Sequence, residues 1–154
     1  MAGDAFHGGC LCGAVRFQAR PPSRFVVHCH RAYCRTAHGA AFVTWVGFPD
    51  GQFALTAGSA TVRWYRSSAQ SQRGFCTQCG TTLFFRSEAA PGETHVVLAA
   101  FDGPVDSQPT AHIFFDQHVP WLEVADTLPK VDGSSPGLMG YAAVPRLDRT
   151  GGGS

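Results

Sequence analysis

The sequence predicts a mainly β domain of short strands, tied together by two cysteine pairs that lie far apart along the chain. Short segments in which apolar and polar residues alternate follow one another, separated by turns rich in Gly, Pro, Asp and Ser. No segment keeps the roughly 3.6-residue apolar period of an amphipathic helix over several turns. The two pairs, Cys10/Cys12 and Cys76/Cys79, have the close spacing of metal-binding cysteines.

The first half of the chain contains five alternating segments and one polar segment. Residues 14–20 place Val15, Phe17 and Ala19 on one face, and Pro21-Pro22-Ser23 ends this strand. The polar residues 31–40 predict a turn or a short helix that Gly39 closes. Four more strands are predicted, over residues 24–30, 41–48, 52–56 and 60–67.

The second half is also predicted to be β, up to a change of composition near residue 130. Strands are expected over residues 72–75, 81–86, 95–101, 110–115 and 121–124. We therefore expect one domain over residues 1–130. Residues 131–154, where Gly, Ser and Pro become frequent, are expected to form a flexible tail that ends in an added linker over 151–154. Residues 138–141 of this tail have apolar side chains that can dock on the domain.

Composition and charge argue against a nucleic-acid-binding or membrane-spanning protein. A formal net charge of +1 is not that of a protein that binds nucleic acid through its phosphates. The longest apolar runs, such as residues 96–101, are too short to cross a membrane. The first residues have neither the cationic start nor the apolar core of a secretory signal, so a cytoplasmic location is expected. The oligomeric state is left open.

The two distant cysteine pairs predict a structural zinc site. In an extended segment Cys10 and Cys12 point to the same side, and the Cys76-Thr77-Gln78-Cys79 turn, followed by Gly80, aims backbone N–H groups at sulfur. Four thiolates fill the tetrahedral coordination of Zn²⁺ and leave no position for a substrate. The alternatives are four unpaired thiols or a redox disulfide between Cys76 and Cys79. A redox motif of that kind opens a helix, whereas residues 81–86 alternate as a strand.

In its cysteine pairs and the segments around them, the chain resembles the glutathione-dependent formaldehyde-activating enzyme family, which includes centromere protein V. The resemblance covers residues 7–128. It rests on residues 9–17, His28-Cys29-His30 with Cys34-Arg35, residues 39–42, residues 75–83, His112-Ile113-Phe114 and Pro120-Trp121. It implies a tent-like β fold and a structural zinc on Cys10, Cys12, Cys76 and Cys79. It also implies a second zinc on a Cys-His-Cys-x-x-Cys segment, and the addition of glutathione to formaldehyde, a carbon–sulfur lyase activity.

The sequence departs from the family pattern in the segment that would hold this second zinc. Arg31 stands where the pattern has its middle cysteine, so only Cys29 and Cys34 remain as cysteine ligands for this zinc. One hypothesis restores three ligands, because His38 lies one helical turn after Cys34. Zinc on Cys29, Cys34 and His38 would keep one open position, and His30 would move the proton. The charge of Arg31 opposes metal binding unless its side chain points away.

Two further interpretations of this segment need no metal. In the first, Arg31 lowers the pKa of Cys29 or Cys34 and stabilises a nucleophilic thiolate, with His30 or His38 as the base, or Arg31 binds a substrate carboxylate. In the second, both cysteines are ordinary core residues and Arg31 is solvated.

Three functions are therefore compatible with the sequence. The first is reversible addition of a small thiol to an aldehyde or a similar electrophile. The second is a different small-molecule reaction, such as a biosynthetic step, on the same scaffold. The third is a zinc-stabilised module that binds another protein without catalysis. His112, in a predicted strand, is a weaker candidate that could face a pocket or be a structural residue, whereas His95 and His7 form no recognisable constellation in the sequence.

Overall fold

A computed structural model of the protein describes residues 3–142 and confirms a mainly β fold. In that part of the chain, β1, β2 and β5 form a three-stranded sheet and the other strands an eight-stranded sheet with the order β11-β10-β3-β4-β9-β8-β7-β6. The strands are β1 (Phe6–Gly9), β2 (Arg16–Ala19), β3 (Phe25–Cys29), β4 (Val43–Pro49), β5 (Phe53–Ala57), β6 (Val62–Arg66), β7 (Ser71–Cys76), β8 (Thr82–Ser87), β9 (Glu93–Val97), β10 (His112–Ile113) and β11 (Lys130–Val131). The helices are α1 (Ala32–His38) and α2 (Met139–Ala142).

The polar segment after β3 forms the short helix that the sequence allowed. Gly39 follows α1 with φ 60° and ψ 41°, the left-handed conformation that ends many helices. The strand predicted over residues 121–124 is wrong. These residues form a turn and irregular chain, and Trp121 is 72% exposed, so its apolar side chain is not part of a sheet face.

The main core lies between the two sheets. Phe17 of β2 packs edge-on against Phe84 of β8, with ring centroids 5.6 Å apart. Around this contact Val15, just before β2, is fully buried. The inward residues of both sheets are also buried, among them Ala19, Val26, Val46, Phe48 and Val96. The alternation that predicted these strands therefore marks the faces that they bury against each other.

The other face of the eight-stranded sheet supports a second, smaller cluster. Residues directly opposite each other in neighbouring strands share a face. The strand register gives one such row, which runs through Phe25, Gly47, His95, Phe85, Arg73 and Tyr65. Helix α1 packs on this face, and its Cys34 joins Trp45 and Phe85 in the second cluster.

The chain continues to pack on this face beyond residue 130. Strand β11 spans the boundary expected between residues 130 and 131 and pairs in parallel with β10. Leu138 and Tyr141 pack against the second cluster, which is the docking that the sequence allowed. The linker expected over residues 151–154 lies outside the described residues. In the described part of the chain, no helix is long and apolar enough to cross a membrane.

Candidate functional site

The two distant cysteine pairs meet at one end of the fold. The sulfur atoms of Cys10, Cys12, Cys76 and Cys79 all lie within 4.8 Å of one another. The Cys10–Cys12 and Cys12–Cys76 sulfur distances are 3.6 and 3.8 Å. Tetrahedral Zn²⁺ with Zn–S bonds of about 2.3 Å separates its sulfur ligands by about 3.8 Å. The four cysteines are therefore close enough to bind a metal ion, and their spacing fits zinc.

Local backbone geometry prepares these sulfurs as ligands. The N–H groups of Gln78 and Cys79 point at the Cys76 sulfur, at 3.4 and 3.5 Å. Gly80 closes the turn with φ 77°, a conformation that a side chain would strain. A hydrogen bond from the Thr81 hydroxyl, with a further backbone contribution, lowers the pKa of Cys79 to about 5. This donor set is that of a closed structural site, with no position left for a substrate.

A separate pocket of about 210 Å³ lies on the second face of the eight-stranded sheet. Strands β3, β4, β8 and β9 form its floor, α1 one wall, and the chain after β11 another. Most of its walls are apolar or aromatic. Its lining includes Phe25, Cys29, Arg31, Cys34, Trp45, Phe85, His95, Phe114, Leu138 and Tyr141.

The pocket contains the cysteine pair that the sequence singled out. Cys29 ends β3 and Cys34 lies in the first turn of α1. The Cys29 thiol donates to the Cys34 sulfur at 3.5 Å. This hydrogen bond, together with the positive charge of Arg73, lowers the pKa of Cys34 to about 5. The same contact and burial raise the pKa of Cys29 well above its ordinary value. The pair therefore shares one proton, with the thiolate on Cys34.

Arg73 is a site residue that the sequence analysis missed. It lies on β7 and is only 3% exposed, and its Nη2 donates to the Cys34 sulfur at 3.6 Å. Its guanidinium also lies over the ring of Phe85, at 4.9 Å from the centroid. Two of its nitrogens, Nε and Nη1, are buried without a partner among the described residues. The sequence contains one signal for this placement. Side chains alternate between the two faces of a strand, so Arg73 lies on the same side of β7 as Ser71.

Arg31 is buried in the wall of the pocket. It is 6% exposed, its Nη2 donates to the backbone oxygen of Tyr141 at 2.9 Å, and its guanidinium lies over the ring of Tyr33. Burial lowers the pKa of Arg31 from its ordinary value, yet a guanidinium stays charged in proteins. The interpretation of Arg31 as a solvated residue is therefore wrong. Two buried arginines therefore lie at this site, Arg31 in the pocket wall and Arg73 in contact with the Cys34 sulfur.

His38 does not complete a metal site with the cysteine pair. Its ring packs edge-on against Trp45 at 5.2 Å between centroids, and burial lowers its pKa to about 4. Within residues 3–142, the four-cysteine cluster is the only group of three or more His, Cys, Asp or Glu placed to hold a metal ion. Two thiol groups beside two buried arginines are a donor set that does not fit zinc.

His30 is directed away from the pocket. It bonds His112, from Nε2 to Nδ1 at 2.8 Å, and His112 in turn bonds Asp126 at 2.8 Å. Its ring also packs against Phe42 and Phe115. Alternation explains this placement, because His30 follows Cys29 directly and so takes the opposite side of the chain. The structure thus brings Cys29, Cys34 and Arg31 into one pocket and leaves His30 outside it.

His95 is the histidine that does line the pocket. It is 6% exposed and lies between Phe25 and Phe85, with ring centroids at 4.8 and 5.5 Å. Its Nε2 bonds the Glu93 carboxylate at 2.9 Å, and this contact lowers the pKa of Glu93. Glu93 and His95 are two residues apart in β9 and share a face, a signal that the sequence analysis did not use.

Comparisons with known proteins identify the family. Residues 5–117 match the family described as glutathione-dependent formaldehyde-activating enzyme. A protein of Halomonas elongata, provisionally named as such an enzyme, is 25% identical over 125 residues, which cover 76% of this chain and 79% of the relative. An uncharacterized lyase of Schizosaccharomyces pombe is 32% identical over 80 residues, 52% of this chain and 56% of the relative. A crystal structure of a Rhodobacter sphaeroides protein shares the fold, with a TM-score of 0.56, 22% identity and coverage of 65% of this chain and 91% of that one.

Proposed function

This chain belongs to the glutathione-dependent formaldehyde-activating enzyme family, and on that premise we propose that it is a carbon–sulfur lyase that adds a small thiol reversibly to an aldehyde. The observation that carries the proposal is the proton-sharing pair of Cys29 and Cys34, at 3.5 Å, in a pocket of about 210 Å³. A pocket of that size accommodates a small aldehyde and the thiol end of a second molecule. A cytoplasmic location suits this chemistry, since small thiols are kept reduced there.

We assign a structural zinc to Cys10, Cys12, Cys76 and Cys79. Zinc at this cluster would supply stability, because four thiolates leave no coordination position for a reactant. The reaction is therefore assigned to the pocket and its own side chains.

The cysteine pair can perform the proton transfers of the addition. The Cys34 thiolate takes the proton of the substrate thiol, and the substrate sulfur forms a bond to the carbonyl carbon while the C=O π bond opens. The oxygen takes the proton of Cys29, and the proton now on Cys34 crosses the 3.5 Å contact to Cys29. The protein is then unchanged, and the product is a hydroxyalkyl thioether. The reverse sequence breaks the carbon–sulfur bond.

The two arginines stabilise the negative charge that moves through these steps. Charge lies in turn on the Cys34 sulfur, on the substrate sulfur and on the carbonyl oxygen. Arg73 and Arg31 are fixed in place by Phe85 and by the Tyr141 backbone, so they need no rearrangement during the reaction. His95, oriented by Glu93, is placed in the same pocket to accept a hydrogen bond from a reactant.

A second candidate is a different reaction on the same scaffold. The aromatic walls formed by Phe25, Trp45, Phe85 and Phe114 favour an electrophile with an apolar body over formaldehyde alone. Activity with a larger carbonyl compound, or activity that needs no thiol, would support this candidate.

The test is turnover with a panel of thiols and aldehydes, followed by NMR of the thioether product. Cys34→Ser should lower turnover at least about 100-fold, the usual contribution of a positioned acid or base, without loss of the four-cysteine zinc or of the melting temperature. Arg86→Met, which changes an arginine on the other face of the sheet, should leave turnover unchanged. Wild-type turnover in Cys34→Ser, or no product with the whole panel, would contradict the proposal.

A further inference from the structure

The cysteine pair in the pocket combines a thiolate with a second thiol within reach. Cys34 is only 4% exposed and lines the pocket of about 210 Å³, which gives a small reactant access to its sulfur. The Cys29 sulfur lies 3.5 Å from it, and both cysteines are free. A disulfide would bring the two sulfurs to about 2.05 Å, a movement of the size that rotation about the two Cα–Cβ bonds gives. The pair can therefore be oxidised inside the pocket.

Arg73 gives the Cys34 sulfur a neighbouring cation with spare hydrogen-bond donors. Its Nη2 donates to that sulfur at 3.6 Å, whereas its Nε and Nη1 are buried without a partner among residues 3–142. A buried donor that stays unsatisfied is costly. An oxygen atom brought to the Cys34 sulfur comes close to this guanidinium and can accept from it. Such a donor interacts most strongly with an oxygen that becomes negatively charged during a reaction.

We propose that this pocket reduces hydrogen peroxide and small apolar hydroperoxides, with Cys34 as the attacking thiolate and Cys29 as the resolving thiol. The Cys34 sulfur forms a bond to one oxygen and the O–O bond breaks. The other oxygen leaves with the electron pair and takes the proton of Cys29, as water or an alcohol. The Cys29 thiolate displaces hydroxide from the Cys34 sulfenic acid, and the hydroxide takes a proton from solvent. Two molecules of a small thiol reduce the resulting disulfide and become a disulfide themselves.

The pocket walls define the class of hydroperoxide. Its volume of about 210 Å³ admits hydrogen peroxide, and the rings of Phe25, Trp45 and Phe85 accept the apolar group of an organic hydroperoxide. The activity goes beyond the lyase reaction, because it uses an oxidant and leaves the two cysteines bonded to each other. A Cys29–Cys34 disulfide cannot share a proton, so a hydroperoxide would also stop thiol addition until a thiol restores the pair.

The experiment measures the rate at which hydrogen peroxide oxidises Cys34 in the zinc-loaded full chain at pH 9, by quenched-flow mixing and mass spectrometry. At this pH Cys34 is expected to be a thiolate in the wild type and in Arg73→Met, so ionisation does not explain a difference in rate. The wild type should react at least about tenfold faster than the thiolate of free 2-mercaptoethanol. Arg73→Met should react about tenfold more slowly than the wild type, because the leaving oxygen loses a charged hydrogen-bond donor. Arg86→Met, on the other face of the sheet, should react at the wild-type rate.

The products identify the role of each cysteine. The wild type should form a Cys29–Cys34 disulfide that dithiothreitol reverses, while one zinc stays bound. In Cys29→Ser the Cys34 sulfenic acid should persist and be trapped by dimedone, and in Cys34→Ser the thiol of Cys29 should stay reduced.

The outcomes separate this activity from the lyase reaction. Oxidation of the wild type no faster than that of 2-mercaptoethanol, or a persistent sulfenic acid in place of the disulfide, overturns the proposal. An unchanged rate in Arg73→Met, with an unchanged melting temperature, also overturns it. If Arg73→Met does not fold, the wild-type rate and the trapping in Cys29→Ser decide. Rapid disulfide formation without thioether product in the panel supports the hydroperoxide activity and contradicts the lyase reaction.

Discussion

Replacing Arg73 by methionine should raise the pKa of Cys34. The Arg73 Nη2 lies 3.6 Å from the Cys34 sulfur. Two unit charges at that distance interact by about 4.6 kcal/mol at an effective dielectric constant of about 20. This energy corresponds to roughly 3 pKa units. The hydrogen bond from Cys29 remains in the variant, so we expect the pKa of Cys34 to rise from about 5 to about 7 or 8.

The pH dependence of alkylation measures this change. Zinc-loaded protein is treated with iodoacetamide over a range of pH, and mass spectrometry follows the peptide that contains Cys34. Arg86→Met is the matched control, because Arg86 stacks over Trp64 at 4.6 Å on the other face of the sheet. The midpoint should rise in Arg73→Met and stay near 5 in the control. A midpoint that stays near 5 in Arg73→Met as well would refute the assignment of Arg73 as the stabilising cation.

Three further predictions concern the zinc cluster, the buried histidine and the residues behind the pocket. Cys12→Ser should abolish stable folding at room temperature, since zinc binding of about 10–16 kcal/mol is comparable to or larger than a domain stability of about 5–15 kcal/mol; an unchanged thermal melt would exclude this role. The pKa of His38 is about 4 in the folded chain, against an ordinary 6.5. Between these values the native state binds fewer protons than the unfolded state. The free energy of unfolding should therefore be highest above pH 6.5 and fall as the pH drops towards 4. His38→Gln should reduce this pH-dependent loss in the free energy of unfolding, measured by urea denaturation, by at most about 3 kcal/mol. The same pH dependence in the variant and the wild type would count against a lowered pKa of His38. Glu93→Gln should lower kcat, because His95 loses its anionic partner, and should lower the melting temperature slightly, because Glu93 also pairs with Arg24; an unchanged kcat in the folded variant would contradict a role of the Glu93–His95 pair in the reaction.

The strands could be predicted from the sequence where burial follows local alternation. Val15, Phe17 and Ala19 alternate with polar residues and are all buried. Strand β2 covers the end of this alternating segment, from Arg16 to Ala19. Strand β1 was missed because it ends in Gly8-Gly9, which have no side chains to alternate. Gly8 is required there, since a Cβ would lie 2.3 Å from the backbone oxygen of Ala100. The close approach of Gly8 to Ala100 joins segments that are distant in sequence, so it produces no pattern in the residues around Gly8.

The cysteines of both sites could be predicted, whereas their surroundings could not. Spacing singled out the four cysteines of the zinc cluster, and the resemblance to the family singled out Cys29 and Cys34. Arg73 and His95 join this pair through the register of β7, β8 and β9, which sets Arg73 opposite Phe85 and Phe85 opposite His95. Register depends on pairing between distant segments and is not visible in any one of them. The same limit applies to Tyr141, whose backbone oxygen receives the Arg31 hydrogen bond from the end of the chain.

The most direct test of this account is a count of zinc and of reactive thiols on the same native sample. Metal analysis gives zinc per chain, and titration with a thiol reagent, before and after denaturation, gives the free cysteines. We expect one zinc per chain, held by Cys10, Cys12, Cys76 and Cys79, and two cysteines outside that cluster, of which Cys34 reacts in the native protein and Cys29 reacts more slowly because its pKa is raised. Two zinc ions per chain with no reactive thiol in the native protein would contradict it, because the Cys29–Cys34 pair would then be a metal site and not a proton-sharing pair.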